Sequence, residues 1–373
     1  MFEVLHHFTR VWGGEIVVND IILVERAMTD RLTGPLLIRL LMEWLEAMKN
    51  VHVLGFDGAF STAITGVLDL LSLAGVTWQR LHGEVPDPRF RVRIVTEHGG
   101  LVRCVNGVEI QSHHSFANAG TADLILVPTI GGPIEKILQG NPGVVTWLQQ
   151  QFERGADIAS NCTGAFFLAE AGLLNGRQAT THWGFVESFR ERYPLVLLKP
   201  EQLITEDGPV LCSGGGMAWF DLTLYLIERY AGHEIALATA KSYVIDMGRG
   251  SQKAYSALQG RRYHKDAVIL EAQDWLENHF RDAVSLQDLA DRVSLSARTF
   301  KRRFRQATGD TAITYLQVLR VEAAKQMLET TRLAVEQITR QVGYEDVSSF
   351  TRLFRRQTGL SPCAYRSKFN RGL

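Results

Sequence analysis

The feature that most constrains this chain is a pattern that occurs twice near its C-terminus, about fifty positions apart: a short helix, a turn, and a second helix crowded with arginine. The first copy runs from Leu286 to Gly309 and the second from Val335 to Gly359. Val293 superposes on Val342, Phe300 on Phe350, Phe304 on Phe354 and Gly309 on Gly359, with one residue inserted in the second turn. A repeated helix-turn-helix unit implies two reading helices in one polypeptide.

In the first copy Phe300 and Phe304, four residues apart, share one helix face, which leaves Arg298, Lys301, Arg302 and Arg305 on the other. Ser296 is placed to cap the start of that helix and Gly309 to end it. In the second copy Phe350, Leu353 and Phe354 point inward, and Ser348, Ser349, Arg352 and Arg355 point outward. A helix of this length with short polar and arginine side chains at its N-terminal end suits the major groove of double-stranded DNA, where arginine pairs bidentately with guanine. A single charged helix face is as often a solvated surface; the repeat and the turn chemistry favour DNA.

Residues 264 to 370 resemble the AraC-type DNA-binding domain. The resemblance is most specific from Val342 through Phe350, Phe354 and Gly359 to Pro362, Tyr365 and Arg366. It implies two helix-turn-helix units joined by a long helix, here about Ala312 to Leu328, with Pro362 and Tyr365 as packing residues. Charge is distributed accordingly. The 373 residues carry 40 Lys and Arg against 40 Asp and Glu, yet residues 264–373 hold 18 against 13 and residues 1–263 hold 22 against 27. The positive surplus sits at the end expected to meet phosphate. It is modest, so affinity should rest on placed arginines.

Four cysteines, Cys104, Cys162, Cys212 and Cys363, show no metal-ligand or disulfide spacing, and no motif calls for a cofactor. With no signal peptide or membrane-length apolar run, the expected setting is a reducing cytoplasm without membrane attachment.

Upstream, strand and helix patterns alternate. Val51–Phe56, Phe90–Val95, Leu124–Val127, Ala156–Ser160 and Pro209–Ser213 read as strands, and Ser61–Ala74, Gly143–Arg154 and Ala218–Tyr230 as helices. This predicts an α/β fold with a mostly parallel sheet, and ligands in such sheets bind at the carboxyl ends of the strands. Two turns stand there. One places Cys162 and Thr163 between strand and helix, as a nucleophile elbow does. The other, with Gly131 and Gly132, is placed to offer backbone N–H groups to the same space. His182 and Trp183 follow twenty residues after the cysteine, and an aromatic wall would suit a cationic amine.

The elbow cysteine, the Gly-Gly turn and the later histidine make residues 49–235 similar to the DJ-1/PfpI branch of the class I glutamine amidotransferase-like fold, a flavodoxin-like sandwich. Peptidase-like members have His after the cysteine, where this chain has Thr163. DJ-1-like members have a glutamate after the first strand, where Gly58 to Thr65 carries no carboxylate. Both departures weigh against catalysis and leave ligand binding or a purely structural turn for Cys162. A DJ-1-like cysteine hydratase or hydrolase using Cys162 is the rival reading.

Both resemblances in this order make the chain similar to the GlxA family of AraC-type regulators. That implies a transcription regulator, often an activator, with a small-molecule effector of the amino-acid or quaternary-amine class and with DNA and RNA polymerase as partners; a homodimer is expected because one tandem reader covers only a limited stretch and regulatory sites are commonly repeated. The expected division is an N-terminal extension over 1–47, a sensor over 48–235, a linker over 236–263 and the DNA-binding domain over 264–373. Residues 1–47 match nothing recognisable. Either Gly34–Ala47 forms an appended amphipathic helix or the chain starts at Met48, and the second is the preferred expectation.

Overall fold

The computed structural model describes residues 47–255, 264 and 266–370, so the expectations for 1–46 and 256–263 lie outside the described residues. The chain divides into two compact units, one ending at Gly250 and the other beginning at Ser251.

In chain order, the first unit carries β1 (Lys49–Leu54), α1 (Thr62–Ser72), β2 (Phe90–Thr96), β3 (His114–Ser115) and β4 (Leu124–Val127). Then follow α2 (Ile134–Gly140), α3 (Pro142–Glu153), β5 (Asp157–Asn161), α4 (Ala165–Glu170), α5 (Val186–Arg192), β6 (Ile204–Asp207), β7 (Val210–Ser213), α6 (Ala218–Ala231) and α7 (His233–Ser242). Seven strands form one sheet in the order β6-β7-β5-β4-β1-β2-β3. Only β6 and β7 pair antiparallel; every other neighbour is parallel.

Helices on the sheet's faces explain why β4, Leu-Ile-Leu-Val, reads as an unbroken apolar run rather than an alternating one. Helix α1 turns Ala63, Ile64, Val67, Leu70 and Leu71 inward at helical spacing, and burying each of the larger side chains stabilises the unit by about 1.5–3 kcal/mol. β1 lies between β4 and β2, so the chain's direction of progress across the sheet reverses there. The crevice at such a reversal, beyond the carboxyl ends of the strands, is where α/β sheets hold ligands.

Two departures from the expected layout stand out. The run Pro209–Ser213 is one arm of a hairpin whose other arm is β6, turned at Gly208 with φ 63°. Residues 236–242, expected as linker, belong to α7, which buries Ala236 and Ala240 in the α/β core.

The described residues of the second unit are mainly helical: α8 (Ala267–His279), α9 (Leu286–Arg292), α10 (Ala297–Thr308), α11 (Ala312–Thr330), α12 (Val335–Gln341), α13 (Val347–Thr358) and α14 (Pro362–Phe369). It has two cores. Ile269, Leu276, Leu289, Phe300, Phe304 and Tyr315 fill the first, and Val321, Leu328, Ile338, Phe350, Phe354 and Tyr365 the second. Helix α11 serves both, its first turns in one and its last in the other, and its 19 residues span about 28 Å. At its middle, buried Arg320 donates to the carbonyls of Phe280 and Asp282, both at 2.7 Å, and stacks 5.0 Å from the ring of Tyr344. It therefore ties the end of α8 to the turn of the second repeat.

Candidate functional site

The two reading helices are α10 and α13. Ser296 caps α10 by accepting from Thr299 N, and Asp346 caps α13 by accepting from Ser348 N and Ser349 N. Both helices end at a left-handed glycine, Gly309 and Gly359. Phe300 and Phe304, and Phe350 and Phe354, are fully buried, and this turns the opposite faces outward. Arg298, Lys301, Arg302 and Arg305 on α10 are all exposed, as are Ser348, Ser349, Arg352 and Arg355 on α13. Arg352 donates to Ser349 Oγ at 2.9 Å, which holds its guanidinium along the N-terminal half of the helix. Arg303 is turned aside, paired with Asp266 at 2.6 Å and 3.0 Å.

The turn ahead of each reading helix requires a left-handed residue directly after the repeated valine. Gly343 supplies it in the second copy with φ 84°, and Ser294 adopts the same conformation in the first with φ 54°. A side chain at 343 would press within 2.5 Å of the carbonyl oxygen of Arg281.

In the α/β unit the elbow is formed as the sequence implies. Cys162 follows β5 with φ 58°, a strained value for a residue with a side chain. Gly164 lets the turn close, because a Cβ there would lie 2.6 Å from Pro128 O. Three strand ends are joined behind it: Ser213 Oγ donates to Asn161 Oδ1 at 2.8 Å, and Asn161 Nδ2 to Thr129 Oγ1 at 2.6 Å. Burial pushes the Cys162 thiol above its ordinary range, opposed by the N–H groups of Gly216 and Thr163 and the hydroxyl of Thr129. A raised thiol pKa keeps the sulfur protonated, the reverse of what a nucleophile needs.

The expected ligand residues occupy different roles. Thr163 is buried, and its hydroxyl accepts from Ile130 N at 3.0 Å and donates to Ile130 O at 2.9 Å, so it braces the neighbouring turn. The Gly131 N–H, expected to face the ligand space, donates instead to Gly58 O at 2.8 Å. The Gly132 N–H makes no hydrogen bond among the described residues. His182 Nδ1 accepts from Gly184 N at 2.9 Å, and burial lowers the ring's pKa, so the imidazole is neutral with its proton on Nε2. It lies against Gly215, where a Cβ would come within 2.2 Å of the ring, and Thr181 beside it donates to Cys162 O at 2.8 Å. Cys162 and His182 are thus brought to one cluster, but no hydrogen bond joins sulfur to imidazole among the described residues. An activated nucleophile–base pair is not formed.

Sequence reasoning missed much of the rim. Phe60 and Val105 crowd Gly131, Trp183 lies 5.0 Å and Phe185 5.8 Å from His182, and Met217 follows Gly216. Phe60, Val105, Phe185 and Met217 are exposed although large and apolar. Trp183 was legible in the sequence, and the local signal for the rest is the run Gly214-Gly215-Gly216, since three glycines after a strand mark a close approach of backbone. Trp219 packs on Gly66 of α1.

Together these features define a DNA-binding protein with an α/β unit that gathers Cys162 and His182 at its strand ends. A helix-turn-helix domain model matches residues 289–368, and a DJ-1/PfpI family model matches residues 74–229. Over 320 residues the chain is 30% identical to the HTH-type transcriptional regulator CdhR of Pseudomonas aeruginosa, covering 86% of this chain and 89% of that protein. It is 26% identical over 274 residues to GbdR of the same species, covering 73% and 74%. With GlxA of Rhizobium meliloti it shares 22% identity over 284 residues, covering 75% and 86%. The chain belongs to the AraC-type transcription regulators that carry a DJ-1/PfpI domain ahead of the helix-turn-helix domain, the family that includes GlxA. It is a DNA-binding regulator. Among the described residues no helix is long and apolar enough to cross a membrane.

Proposed function

We propose that this regulator is a transcription activator controlled by a small metabolite, of the amino-acid or quaternary-amine class, held at the strand ends around Cys162. The observation that carries the reading is an apolar and aromatic rim, exposed at Phe60, Phe185 and Met217 and half-buried at Trp183, on the turns that border a buried, protonated thiol. Aromatic faces attract a cationic amine, and the Gly132 N–H is a donor for a carboxylate. Activation and contact with RNA polymerase rest on the family resemblance, and a homodimer formed through the α/β unit rests on the limited stretch of DNA that one tandem reader covers. In this reading Cys162 is not a turnover nucleophile. The hydratase or hydrolase alternative is favoured by one feature, the elbow conformation of Cys162, and opposed by its raised pKa and by the lack of a base on its sulfur.

A thermal-shift screen of amines, amino acids and their betaines on the full chain tests the proposal, because a ligand that binds the native state raises the unfolding midpoint. A hit whose shift shrinks in Trp183→Ala, with no consumption of the compound, supports it. Steady-state turnover of the hit, abolished in Cys162→Ser, overturns it in favour of the enzyme.

A further inference from the structure

Arg249 stands seven residues after the end of α7, in the segment that leads toward the second unit, and it is anchored with unusual care. Its Nε donates to Asp221 Oδ1 at 2.8 Å and its Nη2 to Asp221 Oδ2, while its guanidinium lies 4.4 Å from the ring centroid of Phe220. The Asp221 side chain is 7% exposed. A bidentate pair that is also stacked fixes direction as well as distance.

Phe220 and Asp221 lie in the first turn of α6, which starts directly after the Gly214–Gly216 run. That run is pinned to the elbow: the Gly216 N–H meets the Cys162 sulfur, and Asn161 Nδ2 donates to Gly216 O at 3.4 Å. A second tie runs in parallel. Gly214 N donates to Leu203 O at 2.7 Å, and Leu203 N donates to Gly250 O at 3.3 Å. The loop touching Cys162 is thereby linked to Gly250 through Leu203 and to Arg249 through the first turn of α6.

Only Ser251, Gln252 and Lys253 separate Gly250 from Ala254. Ala254 is buried in the second core of the helical unit, with Phe350 and Phe354 of α13, and the Tyr255 ring meets Phe369 edge-on at 5.3 Å. Three residues reach at most about 3.5 Å each, so this stretch has little slack to absorb a displacement of its anchor.

We propose that Arg249 is the positioning residue through which a change in the strand-end pocket reaches α13, the second reading helix. A ligand that displaces Gly216 from Cys162 moves the first turn of α6, re-aims Asp221, and shifts the anchor of the short stretch that ends in the α13 core. The proposal rests on the reading that the pocket around Cys162 holds the effector.

The test uses a substitution as the pocket perturbation, so it needs no identified effector. Gly215→Ala forces His182 away, since its Cβ would lie 2.2 Å from the ring. Hydrogen exchange of the full chain, followed in peptides spanning 251–255 and 344–358, is compared for wild type, Gly215→Ala, Arg249→Ala, Arg249→Lys and the two double variants. The expected result is a change of about threefold or more in α13 exchange on Gly215→Ala, abolished with Arg249→Ala and reduced with Arg249→Lys, which keeps the charge and loses the fork. If Arg249→Ala does not fold, Arg249→Lys and Phe220→Leu carry the comparison. An equal change in every background, or none in wild type, overturns the proposal. A thermal-shift hit alongside either of those outcomes shows that the sensor reading stands and the relay alone has failed.

Discussion

Tyr315 donates its hydroxyl to Glu277 at 2.8 Å in the first half of the helical unit. The second half repeats the bond between Tyr365 and Glu329 at 2.6 Å. Each tyrosine lies six residues past its left-handed glycine, Gly309 or Gly359, so the duplication extends beyond the apolar positions to a polar strut beneath each reading helix.

Removing either hydroxyl should cost about 1–2 kcal/mol, because a bond to a carboxylate is worth more than a neutral one. Urea unfolding of Tyr315→Phe, Tyr365→Phe and the double variant measures this. The two costs should add to within about 0.5 kcal/mol, since the sites lie in different cores. A strongly non-additive pair would show that the halves are packed as one.

Ser294 holds a left-handed conformation that glycine adopts without strain. Ser294→Gly should therefore stabilise the chain by about 0.5–1 kcal/mol. The reverse change at the equivalent position, Gly343→Ser, should destabilise it by more, because its side chain meets the Arg281 carbonyl. Thermal midpoints of the two variants moving in the same direction would refute this account of the turn.

His52 on β1 is buried, stacked 6.2 Å from Trp147, and its Nδ1 makes no hydrogen bond among the described residues. Burial, with His114 and Arg93 nearby, pulls its pKa down to about 4. An unfolded chain takes up this proton near the ordinary value of 6.5 and the folded chain only near 4, so the contribution is complete above about 6.5 and is lost as pH falls toward about 4. The loss is on the order of 3 kcal/mol. His52→Phe should flatten the decline of stability between those pH values, as read by urea midpoints; a parallel decline in both proteins would remove His52 as its source.

On the reading helices, Arg302 and Arg352 each stand two residues past the first buried phenylalanine and are expected to read base edges, while Arg305 and Arg355 hold phosphates. Alanine at 302 or 352 should cost about 1–3 kcal/mol and relax preference at one base pair. Alanine at 305 or 355 should weaken all sequences alike and flatten the salt dependence. Competition binding against randomised duplexes separates the two patterns, and an exchange of them would reverse the assignment.

Cys363 is exposed and Cys162 is buried with a raised pKa. Iodoacetamide at neutral pH should therefore label Cys363 first, with Cys162 slower by roughly tenfold or more. Peptide mass spectrometry gives the order directly; a Cys162 that reacted first would be the thiolate that the cysteine-enzyme reading requires.

Most of the fold was legible because local sequence decides it. Apolar runs such as Leu124–Val127 need two covered faces, and the Phe300/Phe304 and Phe350/Phe354 pairs set the inward side of each reading helix. What was not legible depends on partners far away in the chain. Gly131 looked free to donate to a ligand because its acceptor, Gly58 O, is 73 residues distant. Thr163 looked like a ligand contact because Ile130, which takes up its hydroxyl, comes from another strand end. The hairpin of β6 and β7 did have a local signal, Asp207-Gly208, of the kind that turns two strands.

The helical unit keeps its apolar side chains in two groups with no member in common, each beneath one reading helix. A reader built this way can be retuned one half at a time. Substitutions that change what α10 prefers need not be compensated beneath α13, so a lineage could shift one half of its operator while holding the other, and an engineer could graft a new half without redesigning its twin.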